Sequence, residues 1–215
     1  MEFTAGSCVR FGWETFKKRP WFFIAAFLLI TVISGLINGI AGLTNGIAPA
    51  VLGYIDTSGT LAFFVNVVLQ TFIGIGYVSF ALKAHDSVDM VSLADFWRPQ
   101  FFLQFLFMST LAFLSVAAGL ILLIVPGIII MLMFYFGGYL VVDRSLDAIA
   151  SLKESARITK GYRWKLLVFV LTLVVINILG ALCLLVGLLV SIPVTYLATA
   201  HAYRVLEQKA NAAGA

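Results

Sequence analysis

The sequence predicts an all-α integral membrane protein: six transmembrane helices arranged as three hairpins, each preceded by a cytoplasmic interfacial amphipathic helix. Three observations carry this. First, 62% of the 215 residues are hydrophobic and 11% are charged, whereas about a quarter of a soluble domain is charged. Second, the mean hydropathy is +1.06, and the apolar residues run in stretches long enough to cross roughly 30 Å of hydrocarbon. Third, when those stretches are read as alternating crossings, all 14 Lys and Arg residues fall on one side. Positive charge resists translocation, so that side is the cytoplasm and both termini are expected there.

The spans follow in order, all within a single polytopic domain covering residues 1–215. Span 1 is expected at about 21–43 and span 2 at about 60–82, with Asn45, Pro49, Asp56, Ser58 and Gly59 in the outer loop between them. Residues 101–142 are one apolar stretch, too long for one crossing. Val125-Pro126-Gly127 divides it into spans at about 101–124 and 127–142, because Pro removes a backbone donor and Gly permits a turn. Ser191-Ile192-Pro193 divides residues 164–206 in the same way, giving spans at about 164–189 and 192–206 with Ser191 as a candidate N-cap.

A short amphipathic segment leads into each hairpin. Val9, Trp13 and Phe16 recur at i, i+4, i+7 before span 1. Ser92 and Asp95 form a capping-box-like start before span 3. Before span 5, Leu146, Ile149, Leu152 and Ala156 share one helical face against Asp147, Ser151, Glu154 and Arg157. Such helices rest in the headgroup region with basic residues toward phosphates. The entry points Phe16-Lys17-Lys18-Arg19-Pro20-Trp21, Phe96-Trp97-Arg98-Pro99 and Thr159-Lys160-Gly161-Tyr162-Arg163-Trp164 look alike, as in a weak threefold repeat. All four Trp residues (Trp13, Trp21, Trp97, Trp164) fall at this interface, where indole prefers to sit.

Two residue sets are candidates for function. Lys17, Lys18, Arg19, Lys153, Arg157, Lys160, Arg163, Trp164 and Lys165 are the candidates for contact with lipid headgroups, since each basic residue near an anionic surface adds about 1 kcal/mol of attraction. Asn38, Asn66, Gln70, Asn177 and His201 are the intramembrane polar candidates, which either line a path or hydrogen-bond between helices. Asp, Glu, Lys and Arg are absent at mid-membrane depth, which speaks against an ion-coupled carrier. No zinc-spaced Cys/His set, H-E-x-x-H, P-loop or G-x-S-x-G occurs, so an enzyme, a metal and a cofactor are not expected. The pair His85-Asp86 has no identifiable nucleophile to serve.

In the C-terminal half, Val125-Pro126-Gly127-Ile128, Tyr139-Leu140-Val141-Val142-Asp143, Ala150 through Ser155, Thr159-Lys160-Gly161, Trp164-Lys165, Ile176-Asn177 and Leu179-Gly180 follow in order. This pattern resembles an uncharacterised family of bacterial six-helix inner-membrane proteins, and is similar to the membrane domain found with glycerophosphoryl diester phosphodiesterases. The resemblance covers roughly residues 120–206 and implies architecture and a bacterial inner membrane, not phosphodiesterase activity. Asp143 within it is expected to cap a helix beginning near Ser145, or to pair with Arg144 or Lys165.

The expected function is that of a non-enzymatic multi-pass membrane protein whose basic cytoplasmic face engages anionic lipid or a partner. The alternative is a small uncoupled transporter or channel. Nucleic acid is not an expected partner, because the basic residues are juxtamembrane; a homo-oligomer or a membrane-protein partner is compatible with the small-residue pairs such as Ala198/Ala202.

Overall fold

The computed structural model describes residues 3–32, 35–36, 39, 57–183 and 187–213. Among these every regular element is a helix. Helices α1 (Ala5–Lys18) and α2 (Pro20–Val32) are followed by a long α3 (Thr57–Asp86). Three single-turn 3-10 segments, at Val88–Met90, Leu93–Phe96 and Pro99–Phe101, lead into α4 (Phe102–Leu122). Then come α5 (Ile124–Phe134), α6 (Gly137–Arg144), α7 (Ala148–Ile158), α8 (Arg163–Leu182) and α9 (Leu188–Ala213).

Four stretches are long and apolar enough to cross a membrane: Asn66–Asp86, Leu93–Leu122, Ile124–Arg144 and Arg163–Leu182. Within them α4 and α8 are peripheral, burying 11% and 17% of their apolar windows, while the α3 stretch buries 50%. The centre of the bundle is α9, which carries Leu197, Ala198, Ala200, Ala202, Tyr203 and Leu206 at no more than 1% exposure. Its second half also carries His201, Arg204, Glu207 and Lys209, so the most enclosed helix is not one of the most apolar ones. Asn38 lies outside the described residues, as does most of the expected outer loop.

The breaks between helices fall earlier than the Pro residues suggested. Leu123, extended at φ −167° and ψ 150°, is the turn between α4 and α5. Pro126 sits in the first turn of α5, where N–H groups have no intrahelical acceptor and a missing one costs nothing. Likewise Ser191 is not an N-cap: α9 starts at Leu188, and the Ser191 N–H already donates to Gly187 O at 2.9 Å. Pro193 is inside the helix. The close return of α4 onto α5 needs its glycines, since a Cβ on Gly119 would stand 3.0 Å from the Gly127 Cα.

The amphipathic segments also differ from expectation. Before α4 there is no continuous helix, because Pro99 keeps Arg98 out of the helical region and Asp95 turns inward. Asp95 accepts from the Ser92 backbone N–H at 2.9 Å, as a capping box should, and from Lys83 Nζ at 2.7 Å. Helix α1 meets the rest of the protein through a face of small residues. Cys8, Gly12, Thr15 and Phe16 are buried, whereas Trp13 is exposed. Gly12 sets this orientation: a Cβ there would lie 2.7 Å from Val194 O and 3.0 Å from Ala198 N, so α1 packs backbone to backbone on α9.

Helix α7 departs from expectation on its polar side. Ile149, expected to face lipid, is exposed, whereas Ser151, expected on the polar face, is fully buried, as is Ser155. The reason lies in the junction between α5 and α6. Ser155 Oγ donates to Met133 O at 2.7 Å and accepts from the Phe136 N–H at 3.2 Å. A buried helix break leaves unpaired backbone groups, and one hydroxyl supplies a partner for both.

Candidate functional site

The charged ends of α3, α6, α7 and α9 converge into one network. Arg204 on α9 makes a two-bond fork to Asp143 on α6, both at 2.8 Å, and reaches Asp86 on α3 at 2.9 Å. Its Glu207 neighbour, one turn on, receives Arg144 Nε at 2.8 Å. Arg144 also donates to Glu154 on α7 at 3.1 Å, and Glu154 is held by Arg157 at 2.6 and 2.7 Å. The buried Tyr203 hydroxyl lies 2.9 Å from Asp143 and 3.1 Å from Glu207. Arg157 finally donates to Ala210 O and Asn211 at the end of α9.

Such forked, charge-assisted bonds are the strong class. Asp86, Asp143, Glu154 and Glu207 face Arg144, Arg157 and Arg204, so the cluster is nearly charge-neutral and holds four helices together. Two expectations are thereby corrected. Arg157 is not a free headgroup contact, because its guanidinium is committed to Glu154 and α9. Asp143 does not cap α7; Asp147 does, accepting from the Ala150 N–H at 3.3 Å. The hydrogen bond from Arg157 also holds the Glu154 carboxyl below its ordinary range.

A pair of histidines extends this network to α1. His85 Nε2 lies 3.1 Å from His201 Nδ1, and His85 Nδ1 lies 3.1 Å from Asp86. Phe11 stacks on His201 with ring centres 4.1 Å apart. Among the described residues no Ser, Thr or Cys side chain hydrogen-bonds to either ring. Nor do three His, Cys, Asp or Glu side chains gather as metal ligands among the described residues.

The other intramembrane polar candidates are dispersed. Asn177 donates to Leu173 O and Thr195 Oγ1 and accepts from Ser191 Oγ, each at 2.9 Å, tying α8 to α9. Asn66 is half-buried on α3 and Gln70 is exposed there.

The remaining basic candidates form a second population. Lys17, Lys18, Lys153, Lys160 and Lys165 are exposed and make no ion pair among the described residues. Lys17 lies over the Trp13 ring at 5.0 Å. Arg19 donates to the backbone oxygens of Val88 and Asp89 and lies over the Phe22 ring. Arg163 is half-buried, with its Nε enclosed and without a hydrogen-bond partner. Beside it Trp164, 81% exposed, separates two apolar clefts. The larger, about 550 Å³, lies between α5 and α8 and has Lys160, Gly161, Arg163 and Trp164 at one end. The smaller, about 330 Å³, lies between the start of α1 and α8, with Lys165 on its wall.

Neither the clefts nor the network was anticipated. The spacing Glu154/Arg157 and Arg204/Glu207, three residues apart on helices, was the available signal for the network, since such pairs are neighbours on one face. The clefts arise from packing between α5 and α8, which the sequence does not display. No family model matches the chain, and neither a curated protein nor a solved structure does.

Proposed function

We propose that the protein is a non-enzymatic, six-span protein of a bacterial inner membrane, with both termini cytoplasmic, whose inner face holds anionic lipid. One observation carries this reading: the basic residues divide into two populations. Arg144, Arg157 and Arg204 are matched to carboxylates and bind helices together. Lys17, Lys18, Lys153, Lys160, Lys165 and Arg163 have no carboxylate among the described residues; Lys17 and Lys18 end α1 at exposed Trp13, Lys160, Arg163 and Lys165 flank exposed Trp164, and Lys153 lies on the exposed side of α7. Cations left unmatched next to indoles are what a surface facing headgroup phosphates requires. The dispersal of Asn66, Gln70 and Asn177 supports this role over a permeation path, which needs polar groups converging on one axis.

The test neutralises Lys18, Lys153 and Lys165 to Gln. These side chains are exposed and unpaired, so the unfolding temperature should be unchanged. The anionic share of the lipid that co-purifies should fall, because about 1 kcal/mol of attraction is lost per residue. An unchanged anionic share would overturn the reading.

A further inference from the structure

We infer that the cleft between α5 and α8 is a site for one acyl chain of an anionic phospholipid, whose phosphate seats on Lys160 and Arg163. This rests on the proposed role of the inner face and names its ligand. The floor is apolar and belongs to two helices: Ile128, Ile129 and Leu132 from α5 and Leu167 from α8. At about 550 Å³ the cleft lies within the range of about 300–1,000 Å³ typical of small-ligand sites. It is not sealed, since Val125 and Ile129, which line it, are both exposed. A chain can therefore enter from the bilayer and need not cross a polar barrier.

The mouth carries the opposite chemistry. Lys160 is exposed and unpaired, and the Arg163 Nε is enclosed without any acceptor among the described residues. A buried N–H without a partner is costly, and it is satisfied when an acceptor oxygen arrives. A phosphate diester supplies such oxygens together with the negative charge that two cations attract. No carboxylate lines the cleft, so a headgroup that brings its own cation gains nothing at the mouth. Gly161, at φ +83°, turns the chain at this mouth without a Cβ, and nothing lies within 4 Å of the position a Cβ would take. Trp164, largely exposed, lines the same end, and indole prefers the headgroup level. Charge and shape together thus select a lipid with an apolar tail and a net negative head.

The experiment counts lipids retained by the full chain in native mass spectrometry, after detergent exchange, with added phosphatidylglycerol or phosphatidylcholine. Wild type should keep one phosphatidylglycerol more tightly than the rest. Ile129→Trp fills the floor from α5 and Leu167→Phe narrows it from α8; either should weaken that lipid by about tenfold or more. The pair Lys160→Gln with Arg163→Gln should weaken phosphatidylglycerol by about tenfold or more and leave phosphatidylcholine within about twofold. Retention at wild-type affinity by both floor variants overturns the proposal, as does equal affinity of wild type for the two lipids. If both floor variants keep the lipid while the Lys18, Lys153 and Lys165 variant loses its anionic share, the cleft is refuted and the surface reading stands. If the floor variants lose the tight lipid while that surface variant is unaffected, the cleft stands and the wider surface role is refuted.

Discussion

The Arg204 guanidinium on α9 grips the Asp143 carboxylate on α6 through two bonds of 2.8 Å, across 61 positions of sequence. Removing either partner strands the other among Asp86, Tyr203 and Glu207. Asp143→Ala and Arg204→Ala are each expected to lower unfolding free energy by about 2–3 kcal/mol, between the values for charged hydrogen bonds and for buried pairs. Arg204→Lys should not restore it, because an ammonium cannot make the fork. Unfolding monitored by circular dichroism in one detergent compares the three.

Ser155→Ala tests the repair of the α5–α6 break. It leaves Met133 O and the Phe136 N–H without a partner, at an expected cost of about 1–3 kcal/mol. Hydrogen exchange should accelerate at Phe136 well beyond any change in the middle of α8. Equal acceleration everywhere would mean that the hydroxyl has no local role.

Much of this architecture was legible in the sequence, and the parts that were not share a cause. Apolar length located α3, α4 and the start of α8 within a few residues, because crossing a bilayer imposes a length that composition alone displays; α8 stops at Leu182, short of the expected 189. The Ser92/Asp95 box was likewise readable, since both partners lie within one turn. The protein-facing sides of α1 and α7 are not legible, because hydrophobicity marks the apolar side, whereas Gly12 and Ser155 are buried for backbone proximity and hydrogen bonding. Of the headgroup candidates, Lys17, Lys18, Lys153, Lys160, Trp164 and Lys165 are exposed. Arg157 was assigned to lipid because its partners on α9 lie 53 and 54 residues away, a distance at which local pattern is blind.

Gly12→Ala and Gly6→Ala form a matched pair on α1. At Gly12 the new methyl collides with Val194 O and Ala198 N, and overpacking of this kind costs about 1–3 kcal/mol. At Gly6 nothing lies within 4 Å, so the better helix former should be neutral or stabilise by roughly 0.5 kcal/mol. Thermal unfolding of the two variants should therefore move in opposite directions, or Gly12 alone should move.

Acid should loosen α7. Arg157 holds the Glu154 carboxyl below its ordinary range, so its folded pKa lies under the unfolded value of about 4.3. The resulting stabilisation is complete above the unfolded value and is lost as pH falls through the folded one. Unfolding temperature should therefore stay level for this contribution down to about pH 5 and decline below it. In Glu154→Gln the plateau should be lower and the acid decline shallower.

Two thiols report orientation. Cys183 is exposed at the α8–α9 turn, while burial raises the Cys8 thiol to about 11 and keeps it protonated. An impermeant maleimide applied to intact cells should label Cys183. A cysteine at exposed Lys153 should react only after the cells are opened. Reaction of both from outside would break the assignment of α7 to the cytoplasmic side.

In mechanical terms, the bonds from Ser155 to Met133 and Phe136 make the bend between α5 and α6 and the tilt of α7 a single coordinate. The α4–α5 hairpin leans on the rest of the molecule lightly and presents most of its surface to its surroundings. A bilayer that thins or thickens around that hairpin strains it by fractions of a kcal/mol per Å. Any yield at the bend would then be delivered to α7, turning the helix that bears Lys153 and leads to Lys160.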